Sequence, residues 1–264
     1  MRILIAFLFV FCLFGQDDPA ADRERVRQSL DKIRGRDIAK KNLLYERRFE
    51  KRELGQDGLV KSHSVVITRR DPWEELVVTR VVSRDQKPLS AAENQKQEEK
   101  LRKSVEEQRR NPPKFKDDTD SWMDELPDAM EFHKLGIEQI NGRSADMYDF
   151  GPRPGYKAKQ MRIKAVEKIT GKVWIDREDG ELTKVDLTVF DAINVGFGML
   201  GRVEKGTHFE MERKKWEAGV WFESWQRIRF EVKVMIVKSL RQELENHWSN
   251  VSVRPVGKLT SRGN

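Results

Sequence analysis

The clearest alternation of apolar and polar residues lies between Gly171 and Val189. Two alternating runs flank an Asp179-Gly180 step, and Asp-Gly between such runs is a strong signal for a β-hairpin. The apolar positions of the two runs are Val173, Ile175, Val185, Leu187 and Val189. We therefore predict two paired strands that present one apolar face.

Four acidic side chains are crowded around this turn, namely Asp176, Glu178, Asp179 and Glu181. A calcium loop needs its glycine in the sixth position, whereas Gly180 is fifth counting from Asp176. No helix pattern flanks the loop either. We therefore predict a solvated hairpin tip, and neither a metal site nor an acid/base pair.

Alternation continues on both sides of this hairpin. Asn141-Gly142 predicts another hairpin upstream. Downstream, one parity is apolar and includes Phe209, Met211, Phe222, Ile228, Phe230, Val232 and Val234. The opposite parity carries Trp221, Trp225, Arg227 and Arg229, which together predict a surface that could seat a helix or a partner protein. A final run from Leu240 to Asn250 predicts a closing strand.

The first half of the chain predicts a helix followed by an antiparallel meander. Between Asp22 and Leu43, an apolar stripe of Val26, Leu30 and Ile33 has helical spacing. Three strand-like runs follow, separated by turn residues that include Asp71-Pro72. These runs are Leu43–Leu54, Leu59–Arg69 and Trp73–Val82.

A charged helical insertion is predicted over residues 90–130. Its first part, Ser90 to Arg110, pairs acids with bases four residues apart and has few apolar side chains besides Leu101 and Val105. Such a helix can bury little apolar surface against its neighbours. It is either a functional lid or an insertion without a function of its own. Pro127 predicts that a second helix is short or kinked.

Residues 1–16 are typical of a secretory signal peptide, with Arg2 before an apolar run that is too short to cross about 30 Å of hydrocarbon. Cys12, the only cysteine, lies within this run, so no disulfide or thiolate metal site is expected after cleavage. We predict a single domain over residues 17–250, a loose tail over residues 251–264, and no transmembrane span in the mature chain.

Composition narrows the classes of function. The chain is basic, with a formal net charge of +7, but its charges of both signs are interspersed, and export argues against a nucleic acid partner. The nucleophile elbow of serine hydrolases is excluded, because Asp146 occupies the position two residues after the serine where that motif requires glycine. The histidines, His63, His133, His208 and His247, are scattered along the sequence. We predict no catalytic residue, no metal and no cofactor, so the protein is not an enzyme.

The motifs INGRSADMYDFGPRP and GKVWIDREDGELTKVDL, behind a leading helix and a meander, resemble the periplasmic outer-membrane lipoprotein-sorting superfamily of LolA/RseB-like proteins. The matching hairpin signature is Trp174-Ile175-Asp176 with Gly180. The resemblance implies an α+β fold, a strongly curved antiparallel half-barrel with helices on its concave side. It also implies a periplasmic location and an apolar cavity for acyl chains or a partner segment.

Two hypotheses follow from the residues and this resemblance together. The first is a non-enzymatic carrier or binding protein for lipid or lipoprotein acyl chains. Its cavity-facing candidates are Val173, Ile175, Val185, Leu187, Val189, Phe209, Met211, Phe222, Ile228 and Phe230. The second is a signalling or scaffold module that binds an envelope protein through Trp221, Trp225, Arg227 and Arg229. The residues are also consistent with a closed, packed core that has no cavity.

Overall fold

The computed structural model describes residues 18–34, 42–73, 76–111, 120–158, 161–195, 201–234 and 238–254. The predicted signal peptide lies outside the described residues. No helix among those described is both long enough and apolar enough to span a bilayer.

The described chain is built on one open antiparallel sheet, a curved half-barrel accompanied by a few helices. Its strands are β1 Leu43–Leu54, β2 Val60–Trp73, β3 Leu76–Arg84, β4 Lys87–Pro88, β5 Met130–Ile140, β6 Arg143–Pro152, β7 Ile169–Asp176, β8 Leu182–Val189, β9 Ile193–Val195, β10 Gly201–Val203, β11 His208–Lys215, β12 Trp221–Val234 and β13 Lys238–Val253. The strand order is β4-β3-β2-β1-β13-β12-β11-β8-β7-β6-β5, with β10 pairing β12 and β9. The predicted α+β fold class is confirmed.

Local turn chemistry produces the hairpins. Asn141 and Gly142 both have positive φ, 50° and 77°, which is the geometry of a tight two-residue turn between β5 and β6. Gly180, at φ 64°, completes the turn between β7 and β8. Both hairpins were predicted at these positions.

Four helices within the described residues accompany the sheet: α1 Pro19–Arg34, α2 Ala91–Arg110, α3 Asp120–Ala129 and α4 Met161–Val166. Ser90 caps α2 in a reciprocal capping box with Glu93, and this fixes the start of the predicted charged helix. Pro127 lies inside α3, which spans only ten residues. Helix α1 lays Val26 and Leu30 on the sheet, so the predicted apolar stripe is confirmed for these residues.

Three predicted boundaries were wrong. Leu43 begins β1 rather than ending the first helix, and the described helix ends at Arg34. Asp71 and Pro72 lie inside β2, near its end, rather than in a turn. Strand β13 runs to Val253 because Val253 pairs with Leu43, so the tail starts later than residue 251.

A β-bulge in β12 changes which side chains share a face. Glu212 pairs with Trp225 and Arg213 with Glu223, which leaves Ser224 as an extra residue. One extra residue inverts the alternation, so Trp221 and Trp225 lie on opposite faces of the sheet. The predicted shared face of the two tryptophans is therefore wrong, and so is the predicted shared parity of Phe222 and Ile228.

The core is divided between the two faces of the sheet. The largest cluster lies between α1 and strands β5 to β8, and it includes Val26, Ile175 and Val185. Trp174, on the other face of β7, is buried with Ile140 and Ala145, although the alternation had placed it on a polar face. Both faces of β7 are thus covered.

Candidate functional site

An apolar cavity of about 300 Å³ lies within the largest core cluster. Every described residue that lines it is hydrophobic: Val26, Leu30, Leu126, Met130, Phe132, Phe150, Val166, Ile169, Val173, Leu182, Val185 and Leu187. Helices α1, α3 and α4 provide its walls on one side and strands β5 to β8 on the other. These described side chains offer water no hydrogen-bond partner, so the cavity favours an apolar occupant.

Helix α1 forms one wall of the cavity and is held by polar contacts at its rim. Arg25 donates to the backbone oxygen of Asp176 at 3.3 Å, and Lys32 donates to that of Asp179. On the other side, Arg27 pairs with Asp128 at 2.7 Å. The helix therefore covers the cavity with a narrow apolar stripe and is fixed mainly by charged groups along its edges.

The same helix also touches the edge strand of the sheet. The Asp22 carboxylate accepts a hydrogen bond from the backbone N–H of Lys134 at 3.1 Å. Strand β5 is the last strand on this side of the described sheet, so this contact closes part of an open edge.

The β7–β8 turn beside the cavity is an ionic centre rather than a solvated tip. Asp176 is 1% exposed and Glu181 is fully buried, so the prediction that these carboxylates are solvated is wrong. Glu178 remains exposed, as predicted. Each buried acid has a cationic partner from another strand, because an isolated buried charge would be costly.

Arg143 of β6 holds Asp176 through two parallel hydrogen bonds, of 2.7 and 2.9 Å. Burial acts to raise the pKa of Asp176, but the hydrogen bonds from Arg143 and from the backbone of Asp179 outweigh it and leave the pKa below its ordinary value. The same hydrogen bond raises the pKa of Arg143. This pair therefore stays charged at neutral pH.

A second buried pair joins Glu181 to Arg213 of β11, with 3.4 Å between the charged atoms. Arg213 also donates to the backbone oxygens of Leu182 and Trp221. Asp179 accepts from Lys215 and from the indole of Trp221, and these bonds lower its pKa. The turn thus joins α1, β6, β11 and β12 in one network.

Nine of the ten predicted cavity residues are found in four places. Val173, Val185 and Leu187 line the cavity, and Ile175 is buried in the same cluster. Phe209 and Met211 pack against that cluster while partly exposed. Val189 is buried at the end of β8, outside the cavity lining, and Ile228 and Phe230 are partly buried on β12.

Phe222 lies in a different cluster, stacked on Tyr45 at 5.3 Å between ring centroids and edge-on to Trp248. The bulge at Ser224 is the reason, because it turns Phe222 away from the face of Ile228. The prediction that Phe222 faces the cavity is therefore wrong.

Sequence reasoning missed a large part of the lining, on β5, β6, α3 and α4. Phe132 and Phe150 face each other across β5 and β6, with 6.1 Å between ring centroids. Apolar residues at alternate positions, Met130 and Phe132 on one strand and Tyr148 and Phe150 on the next, were the signal that could have found them.

The predicted partner-binding residues are engaged within the sheet. Trp221 is buried, and its indole N–H donates a hydrogen bond to Asp179. Trp225 donates to Glu245 at 2.8 Å and lies under Arg227, while Arg229 pairs with Glu243. The hydrogen bonds that Arg227 donates to Glu210 raise the pKa of Arg227. These groups form a cross-strand ladder of charges, so a partner would have to displace existing bonds.

One group of side chains among the described residues has metal-ligating chemistry: Asp186, His208 and Glu210, whose ligand atoms lie within 4.8 Å of one another. His208 contacts Asp186 at 2.7 Å, but Glu210 already accepts two hydrogen bonds from Arg227. The arrangement is explained as part of the same charge ladder.

Comparison with solved structures gives distant likenesses. No protein-family model and no curated protein matches the chain. A DUF1329 family protein from Desulfovibrio piger ATCC 29098 is 13% identical, with a TM-score of 0.34, over 91% of this chain and 95% of the other. A domain assigned to outer membrane lipoprotein sorting, from Vibrio parahaemolyticus, is 10% identical, with a TM-score of 0.36, over 90% and 94%.

A chain of a third solved structure, that of MucB in complex with MucA(peri), is 9% identical, with a TM-score of 0.23, over 86% of this chain and 99% of the other. The second of the three proteins carries the same lipoprotein-sorting description as the superfamily that the sequence resembles. At these identities and TM-scores the likenesses carry no argument about function, which rests on the chain's own residues.

Proposed function

We propose that this chain is an exported, non-enzymatic protein of the bacterial envelope that binds an acyl chain of a lipid or lipoprotein in the cavity beneath α1. The observation that carries this proposal is a space of about 300 Å³, partly open to solvent, whose described lining residues are all hydrophobic. The predicted signal peptide supports a periplasmic location.

The size of the cavity sets the strength of binding. If a methylene group takes about the volume of a water molecule in the liquid, roughly 30 Å³, the space holds about ten of them. At about 0.8 kcal/mol each, burial contributes at most about 8 kcal/mol. Because association itself costs at least about 4 kcal/mol, the cavity alone supports affinities weaker than micromolar.

A longer chain has a route out of the cavity along the same face of the sheet. Phe209 pairs with Leu187 on one side and with Ile228 on the other, and both Phe209 and Ile228 are partly exposed. Further methylenes on this apolar strip would add affinity. Long fatty acids should therefore bind more tightly than those of about ten carbons.

Titration of the purified chain with a fluorescent fatty acid tests the proposal. Val185→Phe, which fills the cavity from its lining, should weaken binding at least about tenfold. Val189→Phe is the matched control, since it makes the same exchange on the same strand outside the lining, and it should leave the affinity within about twofold among molecules that remain folded. Equal losses in both variants, or no uptake by the wild type, would overturn the proposal.

A further inference from the structure

A second and chemically different groove, of about 510 Å³, lies between helix α2 and the β3–β4 hairpin. These strands form the opposite end of the sheet from β5, so the groove is separate from the apolar cavity. Leu89 and Leu101 contribute apolar surface to it, and Thr79 and Ser104 contribute hydroxyl groups. Its charged lining consists of Arg84, Lys96 and Lys100, with Glu93 as the one acid.

The wall of this groove is fixed by a single glutamine. The Gln97 side chain accepts from the backbone N–H of Val81 at 2.7 Å and donates to the backbone oxygen of Val81 at 3.1 Å. It thereby satisfies both backbone groups of Val81. Val105, on the next turns of the helix, is buried. Helix α2 is therefore anchored on the sheet edge, and the groove has a defined shape.

The three cations of the groove make no short-range polar contact. In the part of the chain that the structure describes, the side chains of Arg84, Lys96 and Lys100 form no hydrogen bond and no ion pair, and the attraction between Arg84 and Glu93 acts over a longer distance. Glu93 is occupied at the start of the helix, where its carboxylate accepts from the backbone and the hydroxyl of Ser90. Elsewhere on the sheet, arginines such as Arg52, Arg143 and Arg227 are paired with acids.

Like charges are also placed next to each other here. Arg84 lies directly opposite Lys87 in the β3–β4 pair, and Lys96 and Lys100 are one helical turn apart. Both arrangements are repulsive. On another face of the same helix, by contrast, Glu106 precedes Arg110 in an ion pair. Glu93 offsets part of this repulsion through its attraction to Arg84, and a bound anion can relieve the rest.

We propose that this groove binds a phosphate-bearing anion. Several cations around one open space suit a multiply charged, tetrahedral group, since a single carboxylate would satisfy only one or two of them. The hydroxyls of Thr79 and Ser104 can donate to further phosphate oxygens. Leu89 and Leu101 suit the apolar part of a phosphate ester. The site stands independently of acyl-chain binding in the cavity.

The test uses two phosphate sources with the full chain at low ionic strength. Inorganic phosphate is titrated while backbone amide shifts of α2 and β3 are followed by NMR, and vesicles of phosphatidylglycerol are tested by co-sedimentation against phosphatidylcholine vesicles. Lys96→Gln/Lys100→Gln keeps good helix-forming residues while it removes two of the three cations. Arg102→Gln/Lys103→Gln is the control, with the same charge change on the same helix but outside the groove lining.

We expect the wild type to bind at least one of the two sources, and the groove variant to bind it at least about tenfold more weakly, while the control stays within about twofold. Binding of inorganic phosphate would assign a free phosphate ligand, and binding of phosphatidylglycerol vesicles alone would assign a lipid headgroup. Absence of binding to both sources, or equal losses in the two variants, would overturn the proposal. Uptake of a fluorescent fatty acid should be unchanged in the groove variant, which separates this outcome from that of the cavity.

Discussion

Filling the cavity should stabilise the protein, whereas filling a packed core would destabilise it. A fully enclosed empty space of about 300 Å³ would cost about 7 kcal/mol at roughly 24 cal/mol per Å³, and this space, which is partly open to solvent, costs less. Val185→Phe adds about four carbon atoms to the lining. At about 0.8 kcal/mol for each, the gain has an upper limit of about 3 kcal/mol, and we expect a free energy of unfolding raised by about 1–2 kcal/mol.

The assay is urea unfolding of ligand-free protein, followed by tryptophan fluorescence and circular dichroism. An increase in the midpoint with an unchanged slope would show a change in stability alone. Val189→Phe, at a buried position outside the cavity lining, should instead lower stability by about 1–3 kcal/mol through overpacking. If Val185→Phe destabilises the protein as much as Val189→Phe does, the space is not available and the reasoning fails.

The parts of the fold that were predictable are those set by local chemistry. Asn141-Gly142 defines its hairpin because few residue pairs adopt positive φ at both positions, and Gly180 supplies the positive φ that the β7–β8 turn requires. Ser90 with Glu93 likewise defines the start of α2. In each case the determining contacts lie within a few residues of one another.

The parts that were not predictable depend on distant residues. Asp176 and Glu181 were expected in solvent because their partners, Arg143 and Arg213, are 33 and 32 residues away in the sequence. The single bulge residue Ser224 inverts the faces of β12, and no pattern in the strand itself marks it. The cavity needs α1, α3 and α4 to meet over β5 to β8, which alternation within one strand cannot show.

Three further predictions follow from the β7–β8 turn and its surroundings. Gly180→Ala should lower the free energy of unfolding by about 1 kcal/mol, because φ is 64° and the added Cβ would lie 2.8 Å from Lys32 Nζ. Displacement of the Lys32 contact should also increase hydrogen exchange in α1. Unchanged exchange in α1 would contradict the role of Lys32. Arg143→Ala should lower stability at pH 7 by about 3 kcal/mol because it leaves Asp176 buried without its partner. The pKa of Asp176 is depressed in the folded protein, so the stabilisation by this pair is present above the ordinary carboxyl pKa and is lost as pH falls through the folded pKa. The difference in free energy of unfolding between wild type and Arg143→Ala, measured by urea unfolding, should therefore shrink below about pH 4. A difference independent of pH would refute the pairing. Burial raises the pKa of Tyr148 to about 12. In an ultraviolet titration, Tyr148→Phe should therefore remove absorbance that appears near pH 12 and leave the absorbance change near pH 10 as in the wild type. Loss of absorbance change near pH 10 in the variant would contradict the burial of Tyr148.

The central claim is that an acyl chain occupies the space beneath α1, and NMR contacts between ligand and protein test it most directly. With a ¹³C-labelled fatty acid bound to the full chain, isotope-filtered NOEs should connect chain methylenes to methyl groups of Leu30, Val185 and Leu187, and Val185→Phe should abolish them. Contacts confined to surface methyl groups such as those of Leu59 or Val253, or the absence of any contact at saturating fatty acid, would contradict the account.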